Sequence, residues 1–154
     1  MMKLEMVADA LAVLGEGPCW DASRKVLYWV DIEGFLVHEF NPADRSDRTI
    51  SVGQYVGAVV PRESGGLVLV GRHGFYSLEL NTERLIPLND SVEIIETNRF
   101  NDGKCDPSGR FWAGTMSMNG GEKQGALYRL SQDQSVHTMI QGVTISNGLA
   151  WSTD

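Results

Sequence analysis

Short runs of four to six apolar or alternating residues punctuate the chain at regular intervals: 26–30, 35–40 and 49–52, then 67–70, 75–80 and 85–88, then 110–113, 126–130 and 136–140. Each is rich in Val, Leu, Ile, Phe, Tyr or Trp and is bounded by polar turn residues, which predicts β-strands. No stretch repeats its apolar positions every 3.6 residues over a helical length, so the expected fold class is all-β.

The runs recur in register. The hexapeptides EGPCWD (16–21), NDGKCD (101–106) and NGLAWS (147–152) share a start, and VGAVVP (56–61) fits the same frame more loosely. These starts lie 40, 45 and 46 residues apart. A polar turn follows each of the first three, at 21–24, 61–66 and 106–109, and a second comes at 41–44, 81–84 and 131–134. Four short strands per unit of about 40–45 residues is the blade pattern of a β-propeller. A sandwich would space strands similarly, but its turns need not recur in register. Blades are therefore expected at about 16–55, 56–100 and 101–146, with the first strand of the next from 147. Propellers close with four to eight blades. The chain is thus expected to be the front part of a longer ring, with 1–14 supplying the closing strand of its last blade.

Composition narrows the partners. The 154 residues hold 13 Lys and Arg against 20 Asp and Glu, a formal net charge of -7. That balance argues against nucleic acid, which rewards a basic face, and against an anionic membrane surface. Two cysteines, Cys19 and Cys105, make no disulfide framework and no CxxC pair, and a reduced, cytoplasmic setting is expected. The apolar stretch 8–14 is interrupted by Asp9 and is too short for a signal-peptide core or a membrane span.

In a propeller the first strand of each blade lines the central channel, so residues distant in sequence meet there. Three of the four starts carry an oxygen-bearing side chain, Glu16, Asn101 and Asn147, and the other carries Val56. One carboxylate with amide oxygens is a donor set for a hard cation such as Ca²⁺, Mg²⁺ or Mn²⁺. Asn-Asp-Gly and Ser-Asn-Gly are equally turn formers, and spacing alone leaves both readings open. Arg99, two residues before Asn101, shares its face of a strand, where it could hold a substrate oxygen or pair with one of the many acids. Asp102 and Asp106 are expected to be turn or supporting groups, and Asp31, ending a strand, a structural one. An insertion at 117–124 offers Asn119 and Glu122 as polar candidates on a binding loop.

Other chemistries find no support. There is no G-x-S-x-G elbow and no H-E-x-x-H. His38, His73 and His137 share no ligand spacing and are expected at the surface or in turns, Cys19 and Cys105 as inert packing, and the four tryptophans in blade cores.

The string RFNDGKCDPSGRFWAGTM (99–116) closely resembles the SMP-30/gluconolactonase/luciferin-regenerating-enzyme (regucalcin-like) family, as do LGEGP (14–18), YWVDI (28–32), QGALY (124–128) and ISNGLAWS (145–152). The resemblance runs from about residue 14 to the end and corresponds to the family's N-terminal half. It implies a six-bladed propeller with one divalent cation (Ca²⁺, Zn²⁺, Mg²⁺ or Mn²⁺) in the channel. Glu16 and Asn147 match the family's metal ligands, Arg99 and Asn101 its substrate contacts. Asn119 aligns with a loop contact that is an acid in some members. No catalytic residue is expected within this chain: the family's further Asp ligand and base would lie after residue 154. The implied activity is hydrolysis of sugar lactones, with this fragment alone inactive. A related propeller esterase or organophosphate hydrolase, and a non-catalytic calcium-binding or scaffold propeller, are the alternatives.

Overall fold

The computed structural model describes residues 3–153 apart from 91 and 94. Among the described residues the chain forms twelve strands and no helix. Strands β1 (Gly15–Asp21), β2 (Val26–Asp31), β3 (Leu36–Asn41) and β4 (Ser46–Ser51) make one sheet. A second comprises β5 (Ala58–Pro61), β6 (Leu67–Val70), β7 (Phe75–Glu79) and β8 (Arg84–Pro87). The third comprises β9 (Asn98–Cys105), β10 (Phe111–Ser117), β11 (Gly125–Leu130) and β12 (Val136–Val143). All three are antiparallel meanders, the four-stranded blades of a propeller.

The turns form where short polar side chains cap their own backbone. Asp21 Oδ1 accepts from the N–H groups of Ser23 and Arg24, Asn41 Oδ1 from Ala43, Asp106 Oδ1 from Ser108, and Asp133 Oδ1 from Ser135. These Asx-type turns reverse the chain without a partner strand.

The core lies between sheets. Val59, Leu67, Leu69 and Leu78 of the middle sheet pack with Tyr28, Val30, Val37 and Ile50 of the first. Ala58, Val60, Val70 and Phe75, on the opposite face, pack with Phe100, Phe111, Ala113 and Tyr128 of the third. Alternation along a strand sends neighbours to opposite faces. Hence β5 and β6, covered on both sides, read as unbroken apolar runs. Aromatic edges set the second layer: Phe75 meets Phe100 at 5.4 Å and Phe111 at 5.8 Å, both edge-to-face.

The tryptophans depart from expectation. Trp20 is 51 % exposed, and Trp151, at 36 %, stands outside any strand. Trp29 and Trp112 are only partly covered, because they alternate with Tyr28 and Phe111 and so lie on the outer faces of their sheets. His38 differs too. It is buried in β3, stacked on Trp29 at 3.6 Å, with Nδ1 2.7 Å from Asp47 Oδ2.

Asp31 is structural, as expected. Its carboxylate accepts from the N–H groups of Val13 (2.9 Å), Leu14 (2.8 Å) and Gly34 (3.0 Å), tying the entry to β1 onto the end of β2. Burial pushes this carboxyl up, but the three N–H donors and the nearby His38 outweigh it and hold it below the usual carboxylate range. A depressed pKa contributes stability above the unfolded value of about 3.9, and that stability is lost as pH falls through the lower folded value. Asp31→Asn should therefore be less stable than the parent by roughly 1–3 kcal/mol at pH 7. The gap should begin to narrow near about pH 4 and close only as pH falls through the lower folded pKa. Urea midpoints across this range test this; a gap that does not narrow in acid refutes it.

Candidate functional site

The first strands of the three sheets lie side by side, β5 between β1 and β9. The segment after β12 continues the series along β9. Asn101 Nδ2 donates to Ser146 O (2.9 Å), Gly148 N–H donates to Asp102 Oδ2 (2.8 Å), and Trp151 Nε1 donates to Cys105 O (2.9 Å).

Two of these strands carry a bulge at the same point of the repeat. In β1 the register slips between Glu16 and Cys19, and in the β9–β10 pair it slips opposite Gly114, at Asn101 and Asp102. A bulge bends the strand and re-aims its side chains. Four inner segments thereby enclose an open cavity of about 550 Å³, onto which Glu16, Asp102, Lys104 and Asn147 face. Glu16 and Asn147 are thus brought to one cavity from opposite ends of the chain.

Asp102 faces the same cavity, but both its oxygens are committed. Oδ1 accepts from Gly103 N–H and Oδ2 from Gly148 N–H, each at 2.8 Å. Asp102 is therefore the clamp that sets the position of the 147–149 turn. Cys19 and Cys105 also line the cavity. Burial pushes both thiols up, Cys105 to about 11, so neither offers the thiolate that a soft metal or a nucleophilic reaction requires. Among the described residues no three His, Cys, Asp or Glu side chains gather as a metal cluster. What the cavity offers is a carboxylate and an amide with hard-oxygen character, part of the six to eight donors that Ca²⁺ takes.

Arg99 and Asn101 are not among the residues lining this cavity; they precede its lining residues Asp102, Gly103, Lys104 and Cys105 on β9. Arg99, 6 % exposed, donates through Nη1 to Asn101 Oδ1 (2.9 Å) and Phe100 O (3.0 Å). Burial pulls the guanidinium below its usual pKa, and Glu33 and Tyr55 pull it back. Asn101 is thus a bridge, fixed by Arg99 on one side and by Ser146 O on the other, one residue before Asn147. Asn119 is exposed after β10, its N–H 3.3 Å from Ser117 Oγ. Among the described residues no hydrogen bond ties it to Arg99 or Asn101.

Three contributors escape sequence inspection. Glu33 and Tyr55 lie in connections of the first two repeat units, where nothing in the spacing marks them. Gly57 precedes β5, and a Cβ there would meet Asn101 O at 2.6 Å and the Phe100 carbonyl carbon at 2.8 Å. Only a glycine admits so close an approach of β9. Its hint is its place beside the divergent repeat start.

A family model described as SMP-30/Gluconolactonase/LRE-like region matches residues 14–154. YvrE of Bacillus subtilis (strain 168), provisionally named a sugar lactone lactonase, is 41% identical over 153 residues, covering 99% of this chain and 52% of its own. The 6-deoxy-6-sulfogluconolactonase of Pseudomonas putida is 37% identical over 151 residues, covering 98% and 52%. The solved structure of a luciferin-regenerating enzyme superposes with a TM-score of 0.86 at 30% identity, over 92% of this chain and 50% of that one. The chain spans about half the length of the curated relatives it matches.

Gly57→Ala should cost roughly 1–3 kcal/mol, because backbone atoms of β9 must move to admit the methyl. Chemical denaturation measures it, and a loss below about 0.5 kcal/mol would show that the strands are not so close.

Proposed function

Because the chain belongs to the SMP-30/gluconolactonase/LRE-like family, we propose that the full-length protein is a divalent-metal-dependent hydrolase of sugar lactones, built on a six-bladed propeller. On this reading the described sheets are its first blades, with boundaries near 16–55, 56–100 and 101–146. Residues 1–14 supply the closing strand, of which Met1 and Met2 lie outside the described residues. The observation that carries the proposal is the meeting of Glu16 and Asn147 on one cavity, with Asn101, the partner of Arg99, bonded to Ser146 beside Asn147.

Glu16 and Asn147 would hold the cation, together with an Asp from a later blade. When bound, a divalent ion polarises a carbonyl and acidifies water. The remaining work falls to the chain's own side chains. Arg99 spends Nη1 on Asn101 and the Phe100 carbonyl, which leaves Nε and Nη2 for substrate oxygens, the fork that suits the carboxylate released when the ring C–O bond breaks. Asn101, held at both ends, keeps its amide in one orientation without the entropy cost of ordering it during the reaction. Asp102 keeps the 147–149 turn in place. Asn119 is assigned a contact at the substrate's outer end, which its exposed loop supports. The Asp of the later blade would take the proton from the attacking water and return it to the ring oxygen as the acyl–oxygen bond breaks, so that one water is consumed and one hydroxy acid is formed per lactone opened.

In the full-length protein, Glu16→Gln and Asn147→Ala should each lower kcat/KM for glucono-1,5-lactone at least 100-fold and weaken Ca²⁺ or Zn²⁺ binding in calorimetry, while circular dichroism stays unchanged. Undiminished hydrolysis in both variants would overturn the metal-holding roles of Glu16 and Asn147, and a parent protein that binds the cation but turns over no lactone would replace the enzyme reading with a scaffold propeller. Residues 1–154 expressed alone should show no lactone turnover above the no-protein rate, and robust turnover would overturn the requirement for a later Asp.

A further inference from the structure

Arg99 is held from a side that its hydrogen bonds do not explain. The Tyr55 ring lies under the guanidinium, with Cζ 6.0 Å from the ring centroid. Phe35 in turn meets Tyr55 edge-to-face, centroids 5.0 Å apart and planes at 77°. Three side chains from three sheets or their connections thus form one chain of contacts: Phe35 from the β2–β3 turn, Tyr55 from the link into β5, Arg99 from β9.

Phe35 is unusual for its place. It has φ +62 at the end of a tight turn, a conformation in which a bulky L residue is strained. A positive φ recurs at Lys25, Arg45, Glu83, Lys123 and Gln134, all long polar side chains that can extend into solvent, and at the exposed Leu11. Only at Phe35 does an aromatic take it, and there the ring is used to brace Tyr55. Strain retained for a side-chain contact points to a functional demand on that contact. Glu33, two residues earlier on the same turn, adds a negative charge within electrostatic reach of Arg99.

We propose that Tyr55, braced by Phe35, is a positioning residue for Arg99, limiting the swing of the guanidinium so that its Nε–Nη2 edge faces the substrate. A flexible arginine whose Nη1 alone is anchored can swing about that anchor. A ring face below it removes that freedom and adds a cation–π attraction that survives where water is excluded. The role in catalysis rests on the lactonase reading above; the fixing of Arg99 does not.

The test has two arms. In the first, ¹⁵N relaxation of the Arg99 Nε–H group is measured in the parent chain and in Tyr55→Leu, Tyr55→Phe and Phe35→Leu. The parent and Tyr55→Phe should give an order parameter near about 0.85, whereas Tyr55→Leu should fall below about 0.6 and Phe35→Leu lie between. An Arg99 group equally rigid in Tyr55→Leu overturns the proposal, and matching circular dichroism among the variants excludes misfolding. In the second arm, the full-length protein is assayed with glucono-1,5-lactone and gluconate. Tyr55→Leu should raise KM and the gluconate inhibition constant about tenfold, with kcat within about threefold. The double variant Tyr55→Leu/Arg99→Lys should be little worse than Arg99→Lys alone. Additive losses would show that Tyr55 does not act through Arg99. If the parent hydrolyses no lactone, the lactonase reading fails while the relaxation arm still decides on the brace.

Discussion

The site depends on how closely the innermost strands approach one another. β5 runs between β1 and β9, and at Gly57 the separation leaves no room for a methyl group beneath the carbonyl of Asn101. That proximity lets a carboxylate near the start of the chain and an amide near its end share one cavity. The apolar packing on both faces of the middle sheet drives the strands together. The glycine decides how far they go.

Around that constraint the polar groups divide their labour. Asp31, Asp102 and Asp106 spend their carboxylates on backbone N–H groups and act as mechanical ties. Glu16 and Asn147 line the cavity together with Asp102 and Lys104. Arg99 is nearly buried in a chain with a formal charge of -7, a costly placement unless its donors are used. Two of them are spent on Asn101 and the Phe100 carbonyl, an aromatic face supports the guanidinium, and Glu33 supplies compensating charge.

The two cysteines show how one cavity can contain reactive residue types without their reactivity. Both line the channel, yet burial keeps the thiols protonated. The chemistry open to the cavity is therefore that of hard oxygen donors and the Lys104 ammonium. The loop after β10 is exposed at Asn119 while its ends are tied down, Met118 N–H donating to Thr97 O and Asn98 Nδ2 donating to Gln124 O.

Alternation and turn chemistry are local, so the all-β class, the four-strand repeat and the Asx turns could be read directly from residues such as Asp21, Asn41 and Asp106. Arg99 and Asn101 sit two apart on one strand, so a shared face could be read from the strand period, whereas their hydrogen bond at the bulge could not. Packing across sheets is another matter. That Trp20 and Trp151 stay exposed, that His38 is buried against Trp29, and that Asp102 clamps Gly148 all depend on which face a neighbouring sheet covers. The chain of contacts from Phe35 through Tyr55 to Arg99 joins residues 64 positions apart whose spacing carries no signal. Periodicity encodes which way a side chain points within its own strand, and only the close approach of separate sheets decides what it meets there.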